Sequence, residues 1–403
     1  MIGEVRIKNY KSIHKLKLEL GRVTVLIGEN GCGKSNILEA IALASAAADD
    51  KLDNEFLASR GIRVTEPQLM RSAFEKDNLS KEVKIDLTGN EQQRFCCVLQ
   101  NDNSPYSKWL NKNSPYISVI PVLNFIEGTH NSLDNAINLW QKSQKDRNES
   151  SLEQSLQALL KVKDDIAKTQ DEAQSFLQYW KTFSIHEFII YSPENSALRI
   201  FEKEGQVQPL GINGEGLFKL LKVLSSANQE QLNEIKKKLR LIDWFQDFEI
   251  PQNLSAMQTS LQITDRYLDT DLSYFDQRSS NEGFLFLLFY FTLFISDITP
   301  KFFAIDNIDA SLNPRLCRRL IEELVELAKK NDKQVILTTH NPAVLDGLDL
   351  DDDQQRLLVI SRNQLGYTKA RRILNPKPLD GQEPVDLSEA FLRGYIGGLP
   401  KNF

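Results

Sequence analysis

Cysteine is scarce in this 403-residue chain, which has four: Cys32, Cys96, Cys97 and Cys317. They show no zinc-type spacing, so a reducing cytoplasm is the plain expectation. Histidine is equally sparse, at His14, His130, His186 and His340, without a paired arrangement that would mark a nuclease centre. Nor is there an excess of positive charge. Lys and Arg number 49 against 55 Asp and Glu, a net charge of −6, so bulk charge gives no reason to expect tight nucleic-acid binding. Long apolar runs are also lacking. The most apolar stretch, 284–295, falls well short of the roughly 20 residues that span a bilayer and reads as a buried core helix. Met1-Ile2-Gly3-Glu4 leads directly into a strand-like run, so neither a signal peptide nor membrane association is expected.

What the chain does contain is an alternation of strands and helices. Residues 4–10 and 16–20 alternate polar with apolar, as half-exposed strands do, and Val23–Ile27 is a short continuous apolar run that reads as a buried strand. Further strands are expected at 83–87, 94–99 and 186–191, and helices from Gly216 to about Trp244. The apolar helix from Phe284 then precedes a buried strand Phe302–Ile305, a helix that Pro314 can begin, and a buried strand Gln334–Thr339. Buried strands alternating with helices predict an α/β fold with a mainly parallel core sheet and antiparallel N-terminal strands. Residues 131–185 turn polar and helically patterned and read as a helical insertion, dividing the chain into 1–130, 131–185 and 186–403.

Gly28-Glu29-Asn30-Gly31-Cys32-Gly33-Lys34-Ser35 satisfies the phosphate-loop pattern in full, between a buried strand and a helix. Its glycines let successive N–H groups point at a β-phosphate, Lys34 can bridge β- and γ-phosphates, and the Ser35 hydroxyl can ligate Mg²⁺. A nucleotide and Mg²⁺ are therefore the expected ligands. A second magnesium-side carboxylate belongs at the end of another buried strand, where Asp306 stands as the Walker B residue. His340, after the next buried strand, is placed to reach a γ-phosphate.

These residues, with Ala310-Ser311-Leu312-Asn313 and Thr338-Thr339-His340-Asn341-Pro342, resemble the ATP-binding-cassette class of P-loop ATPases. The opening Asn9-Tyr10-Lys11-Ser12 resembles that of its RecF, SMC and OLD-like branch. Gly214-Glu215-Gly216-Leu217 and Leu387-Ser388-Glu389-Ala390-Phe391-Leu392 are similar to segments of stand-alone ATPases of bacterial anti-phage systems of the Septu and PARIS types. The resemblance implies a head-to-tail dimer that sandwiches two ATP molecules, each between one subunit's P-loop and the other's signature loop.

The signature candidate is Ser279-Ser280-Asn281-Glu282-Gly283, with an ordinary helix N-cap as the alternative. The implied ATP-binding set is Asn9, Lys11, Glu29, Asn30, Gly31, Cys32, Gly33, Lys34, Ser35, Asn36, Ser280, Asn281, Glu282, Gly283 and Asn313. Asp306, Asn307, Asp309 and His340 are the implied catalytic residues. Gln68 is a weak candidate to complete the metal shell.

The family places a glutamate after the Walker B aspartate, but this chain reads Asp306-Asn307-Ile308-Asp309. An amide cannot take a proton, so hydrolysis is expected to be slow, with Asp309 as the candidate substitute. Two functions compete. One is a regulatory ATPase subunit controlling a separate effector nuclease, since only about 60 residues follow His340, too few for a typical fused nuclease domain. The other is a RecF- or SMC-like DNA-repair or tethering ATPase, with Lys236-Lys237-Lys238, Arg240 and Arg362, Lys369, Arg371, Arg372 as candidate DNA contacts. The motor subunit of a membrane transporter is the least favoured third.

Overall fold

The computed structural model describes residues 1–89, 94–104, 106–113, 185–201, 209–251, 260–269, 271–375 and 385–399, with a few positions between 160 and 168. A six-stranded sheet forms its centre. Its order is β13 (Thr368–Ile373), β12 (Gln355–Arg362), β3 (Val23–Ile27), β11 (Gln334–Thr339), β10 (Phe302–Ile305) and β7 (Ile190–Tyr191). All neighbours are parallel except the edge strand β13, which runs antiparallel to β12. Every residue of β3 and β10 is buried, as strands covered on both faces should be. A second sheet is antiparallel, in the order β2 (Ile13–Glu19), β1 (Ile2–Tyr10), β4 (Val83–Gly89), β5 (Arg94–Gln100), β6 (Leu110–Asn111).

Helix α1 (Lys34–Ala48) lies between the two sheets and is buried on nearly every side, so that Ile37, Leu38, Ile41 and Leu43 pack against one sheet or the other. The alternation of β3 divides the core. Leu26 joins α1 and the antiparallel sheet, while Val23, Val25 and Ile27 join the helices on the far face. Those helices are Leu217–Ala227, Gln229–Leu239, Glu282–Ile295, Pro314–Lys330 and Leu387–Leu392. Helix Glu282–Ile295 is buried from Phe284 onward, and each large side chain there stabilises the fold by about 1.5–3 kcal/mol. Two buried polar groups lock the sheets' lower ends. Gln334 exchanges hydrogen bonds with the backbone of Ile2 and Gly21, and the Lys333 ammonium donates to Ser296 O, Thr299 O, Thr299 Oγ1 and Pro300 O at 2.7–3.2 Å.

The expected architecture is present, with local differences. The run 186–191 is a 3-10 turn, Ile185–Glu187, followed by the two-residue β7, which pairs with the end of β10. β12 and β13 were not anticipated. The helical run after Gly216 is two helices, split where the Asn228 side chain accepts from Gln231 N and caps the second. The helical insertion at 131–185, and with it the proposed domain limits, lies almost wholly outside the described residues.

Candidate nucleotide-binding site

The carboxyl ends of β3, β11 and β10 face the same way, so the loops after Ile27, Thr339 and Ile305 converge. After Ile27 the backbone turns through Gly28 (φ 156°), Gly31 (φ 75°) and Gly33 (φ 109°) into α1. A side chain at Gly28 would sit 2.1 Å from the carbonyl oxygen of Ile360, and one at Gly33 would sit 2.2 Å from Thr368 Oγ1. Close approach to β12 and β13 therefore demands glycine at both positions. Gly31 has open space beside it, and its requirement is the left-handed backbone alone.

Lys34 is buried, and its ammonium donates to Gly28 O at 2.7 Å and Glu29 O at 3.1 Å, with Cys32 Sγ at 3.9 Å. Burial holds its pKa below the ordinary lysine value, against the pull of Cys32, Asp306 and Asp309. Cys32 Sγ is also buried, which pushes its thiol up. Ser35 Oγ donates to Asp306 Oδ2 at 3.0 Å. The other Asp306 oxygen accepts from Thr338 Oγ1, whose oxygen in turn receives Asn307 N at 2.9 Å. Asn307 has φ 58°, a left-handed backbone that asparagine tolerates. Asp309 Oδ1 accepts from Thr339 Oγ1 at 2.6 Å and from His340 N at 3.4 Å. The His340 imidazole titrates below its ordinary range because partial desolvation and then Lys34 disfavour its charged form, while Asp309 and Asp306 oppose this.

This geometry fits a magnesium triphosphate. The first N–H groups of the 15-residue α1 and an ammonium held by nothing stronger than two carbonyls suit phosphate oxygens. The Ser35 and Asp306 oxygens are hard donors already in register. Among the described residues no cluster of three or more His, Cys, Asp or Glu side chains forms a metal cage. Mg²⁺ bound by one or two protein oxygens plus phosphate requires none.

The turn between β1 and β2 reaches the same loop. Asn36 Nδ2 donates to Ser12 Oγ at 2.7 Å, Ser12 Oγ meets Thr368 Oγ1 at 2.7 Å, and Thr368 Oγ1 donates to Cys32 O at 2.9 Å. Lys11 and Arg63 both pair with the buried carboxylate of Glu39 on α1, and Arg63 also reaches Asn36 Oδ1 at 3.3 Å. Asn9, expected at the ligand, is elsewhere engaged: its amide donates to the carbonyls of Asn78, Lys81 and Glu82 and accepts from Ser72 N. It braces the loop beneath Lys11.

The structure thus brings together Lys34, Ser35, Asp306, Asp309 and His340, with Asn36 and Lys11 at the flank. Ser280, Asn281, Glu282, Gly283 and Asn313 make no hydrogen bond to the phosphate loop among the described residues. Asn281 and Asn313 cap helices, accepting from Phe284 N and Leu316 N. Glu282 ties the two segments together by accepting from Asn195 at 2.7 Å and from Ser311 Oγ at 2.7 Å. Glu29 and Asn30 complete the loop, and Gln68 lies exposed on the short helix Pro67–Met70. Ser12, Thr338 and Thr339 belong to the motifs quoted from the sequence but not to the expected site set, and Glu39 and Arg63 belong to neither. The two threonines stand directly before His340, at the end of the fully buried β11, and that position was the available signal.

A protein family described as "AAA ATPase domain" matches residues 1–345. An uncharacterized protein of Methanocaldococcus jannaschii is 34% identical over 119 residues, 28% of this chain and 51% of that protein. The DNA replication and repair protein RecF of Bacillus thuringiensis is 40% identical over 55 residues, 13% of this chain and 15% of RecF. The matched segments therefore span about half the length of the first relative and a small part of the second. Among solved structures, an SMC head bound to the C-winged helix domain of ScpA aligns with a TM-score of 0.55 at 13% identity, covering 93% of this chain and 97% of that one. At that identity the likeness is one of fold.

Proposed function

The chain belongs to the AAA ATPase domain family, and from that premise we propose that it is a P-loop ATPase of the SMC/RecF class that binds and slowly hydrolyses ATP as a regulatory subunit. The carrying observation is the convergence of Lys34, Ser35 and Asp306 from opposite ends of the sequence. In this reading the Lys34 ammonium exchanges the Gly28 and Glu29 carbonyls for β- and γ-phosphate oxygens, and the N-terminus of α1 holds the β-phosphate. Ser35 and Asp306 would hold Mg²⁺, which supplies charge neutralisation of the triphosphate. Asp309, oriented by Thr339, takes the proton of the attacking water, and His340 donates toward the γ-phosphate. Asn307 orients but cannot accept, so turnover is slow and nucleotide occupancy sets the state of the protein.

Two chains pair head to tail, with the 280–283 segment of each completing the other's site, and the dimer controls a separate nuclease of an anti-phage system. Calorimetric titration with Mg-ATP tests the first step. Absence of uptake overturns the reading, as would DNA cleavage by the chain purified alone.

A second reading, direct contact with duplex DNA, is favoured by one observation. On the outer face of the antiparallel sheet Lys8 stands opposite Lys15 on one side and Lys84 on the other. These three ammoniums make no hydrogen bond or ion pair among the described residues, an arrangement that costs the sheet stability unless an anion covers it. The basic clusters expected from the sequence are in part engaged instead: Lys236 pairs with Asp247, Lys238 with Glu323 and Glu326, and Arg372 with Asp353. ATP-dependent duplex binding with a steep salt slope, lost in a Lys8→Glu/Lys84→Glu chain, is the test.

A further inference from the structure

Beside the first turn of α1 lies a cavity of about 420 Å³ whose lining includes Lys11, Asn36, Arg63, Thr65, Phe74 and Arg362. It is rich in cations and has no carboxylate in its lining. Its position follows from the sheet order. The carboxyl ends of β11 and β10 carry the groups assigned to the γ-phosphate, whereas Arg362 ends β12 on the opposite side of β3. A triphosphate laid along the loop, with its γ end at Asp306 and His340, therefore leaves its nucleoside on the β12 side, past Asn36.

Phe74 is 47% exposed there although large aromatic rings are usually covered. Its inner edge rests on Tyr367 (ring centroids 5.5 Å apart), and the Arg362 guanidinium lies 5.8 Å from its centroid. Arg362 Nε is buried and has no hydrogen-bond partner among the described residues. The cavity thus offers an aromatic face, a guanidinium and donors. The one carboxamide oxygen nearby, Asn36 Oδ1, already receives Arg63.

We propose that the nucleoside of the bound triphosphate docks against Phe74 and Arg362, and that this seat selects purines by stacking without reading adenine, so that GTP binds as well as ATP. The proposal rests on the ATP-binding reading above. Stacking needs only a large π face, which every purine has. The adenine amino group finds no free side-chain carboxylate or carboxamide oxygen in the lining. Guanine O6 and N7 match the donor geometry of an arginine, which reads guanine by that pair of acceptors in nucleic acids.

The test is equilibrium titration of the full chain with Mg-ATP, Mg-GTP, Mg-CTP and magnesium tripolyphosphate. Wild type should bind ATP and GTP within about tenfold of each other and CTP more weakly. Phe74→Ala should weaken both purine nucleotides by about tenfold, Phe74→Tyr should restore them, and tripolyphosphate affinity should stay at the wild-type value, reporting an intact loop. Arg362→Met should weaken GTP more than ATP. Unaltered ATP and GTP affinity in Phe74→Ala, or wild-type preference for ATP beyond a hundredfold, overturns the proposal while leaving the P-loop reading standing. Failure of wild type to bind either nucleotide or tripolyphosphate overturns the P-loop reading, and this proposal with it.

Discussion

Ser35 and Asp306 are 271 positions apart in the chain, yet the serine hydroxyl donates to the aspartate carboxylate across 3.0 Å. The parallel pairing of β3 with β11 and of β11 with β10 makes this contact, because it places the ends of three strands side by side. Everything assigned to the triphosphate is arranged around that pair.

Removing the Lys34 ammonium should remove nucleotide binding. Two charge-assisted bonds to phosphate, each worth about 1.5–3 kcal/mol, correspond to at least a hundredfold in affinity. Lys34→Ala is therefore expected to bind Mg-ATP at least about a hundredfold more weakly by calorimetry.

Asp309 is the carboxylate assigned to proton transfer. Asp309→Ala should lower single-turnover hydrolysis by roughly 10²- to 10⁴-fold with little change in ATP affinity. Asn307→Asp, tolerated at φ 58° as asparagine is, should raise the rate. Wild-type turnover on the order of 10 s⁻¹, unmoved by Asp309→Ala, would rule out this assignment.

Gly283 has room for a side chain: a Cβ there would come no closer than 3.6 Å to its neighbours. Gly283→Glu should accordingly leave the isolated chain folded and able to bind ATP, while the added carboxylate repels the partner's triphosphate. Light scattering is expected to show ATP-dependent dimers for wild type and monomers for the variant. Dimers of the variant would remove 280–283 from the site.

His340, an exposed residue just after β11, titrates below the ordinary 6.5 for histidine through partial desolvation of its ring and then through Lys34. As pH falls below 6.5 the unfolded chain takes up its proton first, so the folded state loses stability until the lowered folded value is passed. Melting temperature should therefore decline more steeply on acidification for wild type than for His340→Gln. Parallel curves would show that the imidazole is not held in this environment.

Lys333 satisfies four oxygens around the turn before β10. Lys333→Met leaves the Thr299 and Pro300 carbonyls without this donor, while Ser296 O keeps the Thr299 hydroxyl, and should destabilise the protein by about 2 kcal/mol or more in urea unfolding. Wild-type stability in that variant would mean that the turn rearranges freely.

Much of this arrangement is legible in the residues themselves. The P-loop and the strands carrying Asp306 and His340 are marked by short apolar runs ended by functional residues, a pattern set by burial on both faces. The α/β architecture follows from their alternation with helices. β13 is not marked in the sequence because Lys369, Arg371 and Arg372 read as a basic cluster, whereas an edge strand keeps only Thr368 and Ile373 buried and can be charged elsewhere. Asn9 enters the expected set through the resemblance of Asn9-Tyr10-Lys11-Ser12 to the family's opening. Its left-handed backbone, φ 61°, turns the amide to the 72–82 loop, and no pattern in the sequence encodes that. The Phe74 cavity was invisible for a related reason: its walls come from positions 11, 36, 63, 74 and 362, which only the folded chain assembles.

The support of Cys32 by Thr368, and of β3 by β12, bears on how the protein can be trimmed. A polypeptide stopped after the 3-10 turn Pro342–Gly347 would retain all the assigned catalytic groups, yet β3 would be left with one naked flank. Such a truncate should precipitate or stick to its own copies, and adding back 355–373 as a separate peptide should return it to solution.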